Sequence, residues 1–470
     1  MSTELLEEYY VGPVKVNVLK KFNQCYYNVE EPRLSMLEEK AKEKVLSELY
    51  YTKVENLEEE VVKRLQSSKL SDESIEKILY YIKKTLLYGE ITTLMLDPKV
   101  EEIEYKGYTY PITIIHRDYS ECVRLYTNIV IQSDEDAIKT IEKLASKSNK
   151  SINIAKPYLE FSLPEGHRVA ATISREISLP GSTFDIRKFP LKPFSIVEIM
   201  RYKMVNSLIA SYLWLLLEYK PFLIILGATG SGKTTLLNAL LNLINPNFKI
   251  LTIEDTPEIN IRSQNWVRFI SRSTLSGNFD ITMMDLARLS LRYRPDYLVV
   301  GEVRGKEIEA LVHASASGHG SLTTFHGSRP TDAVTRITDL LASDLAKLFL
   351  QTIWAFIVVG NVKENNKTRR SVLSIYEVSS KSSKITFKKV VAWSYDKSEF
   401  SPSTVEDLIK KSILLKKLKE AYNVNVKMEL DRRVKFLEGL EKSGVSSFEE
   451  VSQKILEFYG LGDNLEMASM

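Results

Sequence analysis

Residues Phe222–Thr235 read FLIILGATGSGKTT, and this stretch decides the fold. Its first five residues are a continuous apolar run of strand length. Gly227, Ala228, Thr229, Gly230, Ser231, Gly232, Lys233 and Thr234 follow at once. After Thr235 comes the helical apolar pattern Leu236, Leu237, Ala239, Leu240, Leu241. This is G-x-x-x-x-G-K-[ST] in its required setting, after a buried strand and opening a helix. Glycines let the backbone curl until successive N–H groups face one anion. The helix N-terminus adds unpaired donors and partial positive charge. Lys233 is placed to reach β- and γ-phosphates, and Thr234 to offer its hydroxyl to Mg²⁺.

Around this stretch lies a chain of 470 residues, more than one ordinary core needs, so two to three domains are expected. An apolar fraction of 44% and a charged fraction of 27% are those of a globular protein. The net charge of +3 gives no support to direct nucleic-acid binding. Cys25 and Cys122 are far apart and in no metal spacing, which predicts free thiols in a reducing compartment. The acidic start MSTELLEEYY is no signal peptide. The apolar segments Leu208–Leu226 and Leu345–Val359 are interrupted by charged or polar residues, so neither reads as a membrane span. A cytoplasmic protein that reaches a membrane only through partners is the expectation.

Residues 1–90 read as charged helix, with apolar positions at helical spacing in Glu38–Leu49 and Asp72–Leu87. Residues 91–190 turn β-like and read as an α+β domain. Ser133–Lys147 is predicted helical, and His167–Ile173 and Ser182–Phe189 are predicted strands. Residues 191–204 read as a linker. In residues 205–378 strand-like runs alternate with helices, the pattern of an α/β doubly wound sheet. Residues 379–470 read as mainly helical. The lysines and arginines between Lys410 and Lys435 suit a solvated helix face, an acidic partner or an anionic lipid surface.

Two further strands end in carboxylates. Ile250–Asp255 ends in Glu254 and Asp255, and Tyr297–Glu302 ends in Glu302. Hydrolysis of a γ-phosphate requires a held Mg²⁺, a polarised water and positive charge on the equatorial oxygens. The usual position of the second-strand Asp is Gly301 here, with the carboxylate one residue later. Three of the chain's five histidines, His313, His319 and His326, fall within fourteen residues. His319 and His326 bracket an apolar strand and read as sensors of a γ-phosphate. A zinc site lacks a third evident ligand.

At this point the chain resembles the secretion superfamily ATPases that drive type II secretion, type IV pili, archaella and type IV secretion. Four boxes in order carry the resemblance: Gly227–Thr234, Thr252–Glu258, Arg294–Arg304 and Gly318–His326. Gly166–Thr172, Phe184–Phe189 and the stretch at Leu430–Arg433 resemble the archaeal branch. The four-cysteine loop of many bacterial type II members is absent. The resemblance implies a RecA-like P-loop core with an α+β N-terminal domain and helical extensions at both ends. It implies a homo-hexamer that binds ATP and Mg²⁺ between its domains. Glu302 then activates water, Glu254 polarises water or helps Thr234 and Asp255 with Mg²⁺, and His326 contacts the γ-phosphate. Arg168 and Arg187, with Arg175 behind them, reach the transition-state charge, and Phe189 stacks on adenine. One of Arg292, Arg294 and Arg304 senses the neighbouring subunit. The implied partners are a polytopic membrane platform protein and, indirectly, pilin-like subunits.

Overall fold

A computed structural model of the protein describes residues 3–50, 56–66, 70–189, 193–272, 280–364, 367–381 and 384–461. The chain divides into two compact units, Met1–Leu191 and Lys192–Met470.

The first unit opens with an antiparallel meander, β1 (Glu4–Val11), β2 (Val14–Lys21) and β3 (Gln24–Glu30). This corrects the expectation of helix from the first residue. Val14, Val16 and Val18 are fully buried and alternate with Lys15 and Asn17, a period of two that the surrounding charge conceals. The charged helices begin later, as α1 (Met36–Leu49), α2 (Leu57–Leu65) and α3 (Asp72–Lys83). Ser35, Asn56 and Ser71 accept hydrogen bonds from their first-turn amides, which fixes the starts. Val45, Leu49, Val61, Leu65, Ile78 and Ile82 bury one another in a small core of their own.

After α4 (Thr92–Leu96) come β4 (Val100–Tyr105), β5 (Thr113–His116), β6 (Leu125–Thr127), α5 (Asp134–Lys147), β7 (Tyr158–Ser162), β8 (Arg168–Thr172) and β9 (Thr183–Arg187). All nine strands form one sheet in the order β1-β2-β3-β6-β5-β4-β9-β8-β7. Only β3 and β6 pair in parallel among the described strands of this sheet. That pairing sets Cys25 opposite Leu125 and brings Cys122 to a Cα–Cα distance of 5.8 Å, where the two cysteines form a disulfide. The expectation of free thiols is thereby corrected. The cysteines stand 97 residues apart, and no spacing rule anticipates a contact made by sheet pairing. Closing so long a loop stabilises the fold by about 2–4 kcal/mol. Cys25→Ser therefore lowers the calorimetric melting temperature under oxidising conditions, and a reductant brings the wild type down towards it. An unchanged melting temperature would count against a formed bond.

The second unit starts inside the expected linker. Residues 190–192 lie outside the described residues, but Ser195 and Glu198 form a reciprocal cap on α6 (Ile196–Arg201). The 191–204 reading is corrected to that extent: a buried helix, carrying Ile196, Val197, Ile199 and Met200, already belongs to this unit's core. Then follow α7 (Ser207–Leu217), β10 (Phe222–Gly227), α8 (Lys233–Leu241), β11 (Ile250–Glu254), β12 (Trp266–Ile270), α9 (Met283–Ser290), β13 (Tyr297–Glu302), α10 (Ile308–Ala316), β14 (Gly320–His326), α11 (Pro330–Leu340), α12 (Ser343–Thr352) and β15 (Ile353–Glu364).

The sheet order is β12-β11-β13-β14-β10-β15, all parallel. Leu223 and Ile225 face one core, together with Leu236, Leu240 and the α7 side chains. Phe222, Ile224 and Leu226 face the other, with Leu311, Ile337 and Phe349. Burial on both faces is why β10 reads as an unbroken apolar run.

The sheet does not stop at residue 378. β16 (Lys367–Lys381), β17 (Lys384–Ser394) and β18 (Glu399–Ser401) extend it as antiparallel strands. This corrects the expected helical start at 379; helix resumes with α13 (Val405–Lys411), α14 (Ile413–Tyr422), α15 (Val426–Lys442) and α16 (Phe448–Phe458). Buried Glu377 ties them to the sheet. Its carboxylate accepts from Tyr212 Oη at 2.6 Å, from the Ile413 and Leu414 amides at 2.5 and 3.1 Å, and from the Ser412 hydroxyl. A carboxylate on a helix N-terminus meets unpaired donors and favourable partial charge.

Candidate nucleotide site

The phosphate loop runs from the C-terminal end of β10 into α8. Gly227 has no room for a side chain: a Cβ would meet the Ser231 hydroxyl and stand 2.8 Å from Val359 Cγ2 and from its carbonyl oxygen. Gly230 and Gly232 have φ of +73° and +92°, in the left-handed region that favours glycine. Gly232 is the N-cap of α8, and its backbone must lie open for donors to converge. Ala228 O collects three donors: the Ser231 amide at 3.3 Å, the Ser231 hydroxyl at 2.7 Å and Lys233 Nζ at 2.9 Å. Ala228, Thr229 and Gly230 are exposed, while Ser231 and Lys233 are buried. Thr234 and Thr235 remain partly exposed in the first turn of the helix.

Strand register brings the histidine to this loop. β14 lies beside β10, with Gly227 directly opposite His326. β13 lies on the far side of β14, with Glu302 opposite Thr324. His326 Nε2 stands 2.5 Å from Glu302 Oε1, and Arg304 Nε and Nη2 donate to Glu302 Oε2 at 2.9 and 2.5 Å. Burial and the neighbouring Lys233 hold the His326 pKa below its usual value, against the pull of Glu302. The imidazole is thus neutral at neutral pH.

Two details explain why Glu302 stands one residue late. The register slips between Val300 and Glu302, so this strand carries a bulge. At Gly301, a Cβ would lie 3.3 Å from Glu254 Cγ, closer than ordinary van der Waals contact. A side chain at 301 therefore presses on Glu254.

Glu254 is buried at 2% exposure and largely committed. Its Oε1 accepts from the Glu258 and Ile259 amides, both at 2.7 Å, and its Oε2 from Arg268 Nε at 3.2 Å. Burial raises its pKa, opposed by those hydrogen bonds and by Arg268. Asp255 is exposed and accepts from the Ser271 hydroxyl. Mg²⁺ prefers hard oxygens and takes few from the protein when phosphates supply the rest. The Thr234 hydroxyl and the Asp255 carboxylate fit that demand, and Glu254 has one lone-pair direction to spare.

Not every expected residue is here. His319 precedes β14 and His326 ends it, so seven residues at ~3.3 Å each put roughly 20 Å between them. His319 lies at the opposite end of the sheet from its own phosphate loop, with Nδ1 3.0 Å from Ala314 O and its field felt by Asp296. Its assignment as a nucleotide contact of this subunit is corrected accordingly. Arg292 and Arg294 precede β13 and share that far end, whereas Arg304 binds Glu302.

Two arginines escaped the sequence reading. Arg268 reaches Glu254 from the adjacent edge strand, and the Arg370 stem packs beside Gly232, its Cδ 3.4 Å from where a Cβ would stand. Strand pairing places both, and no motif marks them.

Arg168, Arg187, Phe189 and Arg175 belong to the first unit. Arg168 and Arg187 are direct cross-strand partners in the β8–β9 pair, and Arg187 Cζ lies 5.5 Å from the Phe189 ring. Arg175 Nη2 donates to Tyr108 Oη at 3.2 Å.

Strand order, crossover connections and the loop after the first parallel strand define a P-loop core of RecA-like topology, joined to an α+β unit. The family model of the type II/IV secretion system proteins matches residues 91–389, and the chain belongs to that family. A relative from Methanocaldococcus jannaschii, MJ0900, is 29% identical over 405 residues, covering 84% of this chain and 72% of its own length. VirB11 of Agrobacterium fabrum is 38% identical over 122 residues, covering 26% of this chain and 36% of VirB11. Among solved structures, the Legionella pneumophila ATPase DotB superposes with a TM-score of 0.46 at 18% identity, covering 80% of this chain and 92% of DotB. No helix among the described residues is long and apolar enough to cross a membrane.

Proposed function

We propose that the protein hydrolyses ATP as a hexameric motor and drives assembly of a pilus-like or archaellum-type filament through a membrane platform protein. The observation that carries the chemistry is the convergence of phosphate loop, His326 and Glu302 on neighbouring strand ends.

The loop amides and Lys233 bind the β- and γ-phosphates. Glu302 takes a proton from the attacking water as the water oxygen bonds to the γ-phosphorus. The bond to the β-bridging oxygen breaks, and ADP leaves with that electron pair. His326, neutral and opposite Gly227, orients the pair of water and phosphate. Arg304 holds the Glu302 carboxylate until it is needed. Thr234, with Asp255 and Glu254, would hold Mg²⁺, which would supply charge neutralisation for the phosphates.

Arg168 and Arg187 complete the site with positive charge on the transferring group. Their placement supports this: the two are direct cross-strand partners, with Glu102 opposite Arg187 on its other flank, so both guanidiniums leave the same face of the sheet.

The decisive assay is phosphate release with Mg²⁺ and ATP from the intact protein beside Lys233→Ala. Turnover above that control supports a motor; none, with the platform protein present, leaves a nucleotide-regulated scaffold. Mass measurement with an ATP analogue tests the hexamer, which a monomer at micromolar concentration refutes. Similarity to the conjugal transfer protein TrbB of Rhizobium radiobacter favours one second reading, a type IV secretion or conjugation-type motor for DNA or protein. Stimulation of turnover by DNA would select it.

A further inference from the structure

We infer that His167 and Lys188 are positioning residues that hold the Arg168–Arg187 pair in place. The inference rests on the catalytic reading of those arginines and deepens it.

The four residues form one unit of strand geometry. Arg168 and Arg187 are directly opposed. His167 precedes one, Lys188 follows the other, and alternation turns both to the opposite face of the sheet. That face is the core, where Val169 and Ile186 are fully buried. His167 is buried at 5% exposure, and its Nδ1 accepts the Phe189 amide at 3.2 Å. The imidazole thus staples the end of β9 to the start of β8. Burial pulls its pKa down to about 4, with Lys188 adding to the shift, so the accepting lone pair persists across ordinary pH.

Lys188 makes the second anchor. Its amide donates to Glu101 O at 2.8 Å, and its Nζ donates to Leu94 O at 2.8 Å and Asp97 O at 2.6 Å. The residue keeps some surface in solvent, yet its amine is enclosed, and burial brings its pKa down to about 7. An amine enclosed on backbone carbonyls costs more than an apolar side chain of the same length. What it provides is direction: it fixes the backbone one residue beyond Arg187.

The support behind it is rigid. Asp97 is fully buried, and its carboxylate accepts Tyr9 Oη and Tyr27 Oη, both at 2.6 Å, and the Lys99 amide at 2.8 Å. Those tyrosines come from β1 and β3. The opening meander thereby bears on the segment that anchors Lys188, and through it on the arginine pair.

The test uses the full-length oligomer with Mg²⁺ and ATP. Lys188→Met lowers kcat roughly 10- to 100-fold at near-constant KM and unchanged oligomer mass, because misdirection of a transition-state contact costs rate. In an Arg187→Ala background the same change causes no further loss, since it acts through that side chain. An unchanged kcat in the wild-type background, or losses that multiply, overturns the inference. Should Lys188→Met not fold, the histidine decides: His167→Asn keeps an acceptor near Nδ1 and retains kcat, and His167→Leu does not. Equal behaviour of those two also overturns it. An Arg187→Ala protein with wild-type kcat instead removes the catalytic reading, and is recognised as a different failure.

Discussion

Glu302→Gln reduces phosphate release about 10²- to 10⁴-fold while nucleotide still binds with near wild-type affinity. Glutamine keeps the shape of the side chain, and its amide oxygen still accepts from Arg304. It loses the basicity that takes the water proton. The loop that cradles the phosphates is built from Gly227–Thr234 and touches none of this, so binding persists. Stopped-flow phosphate release, paired with titration of a fluorescent ATP analogue, separates the two effects. A variant that turns over at the wild-type rate would falsify Glu302 as the base. The wild type also has a predictable acid limb. His326 is neutral at neutral pH because burial and Lys233 hold its pKa down. Its protonation is therefore displaced to more acid pH than that of an ordinary imidazole, and once protonated it is a cation 2.5 Å from Glu302 that neutralises the base, so the pH profile of phosphate release falls on that side.

Arg187→Ala lowers kcat by about 10³-fold, the scale of a cation supplied to phosphoryl transfer, with little change in KM. Mixing experiments extend the prediction. If the arginine acts on the nucleotide of a neighbouring subunit, Arg187→Ala and Glu302→Gln chains co-assembled in one ring recover activity that neither shows alone. Some interfaces then pair an intact arginine with an intact glutamate. Mixed rings as inactive as the parents confine the arginine to its own subunit.

The nucleotide half of the molecule was legible in sequence because its signals are local. FLIILGATGSGKTT is a strand, a turn and a helix start in fourteen residues, and the structure places β10, the loop and α8 there. Glu254 and Glu302 end their strands as the apolar runs predict. What was hidden depends on pairing between distant segments. β2 alternates Val14, Val16 and Val18 with Lys15 and Asn17, a pattern easily lost among helices of similar charge. Cys25 meets Cys122 only because β3 and β6 are neighbours. His319 looks equivalent to His326 in a histidine-rich stretch, yet a strand's length divides them. The commitment of Glu254 to the amides of Glu258 and Ile259 has no motif at all.

The bulge beside Gly301 has a consequence for how this chemistry is encoded. Along a strand, the face a side chain points to is a phase that inverts with every residue. Moving a carboxylate from position 301 to 302 in a regular strand would turn it away from β14's histidine. The extra residue restores the phase. Glycine at 301 and the bulge are therefore one instruction written in two places: flattening the bulge while keeping Gly301 rotates the reactive group by half a turn, whereas deleting Gly301 removes both together and keeps the carboxylate on the face of that histidine.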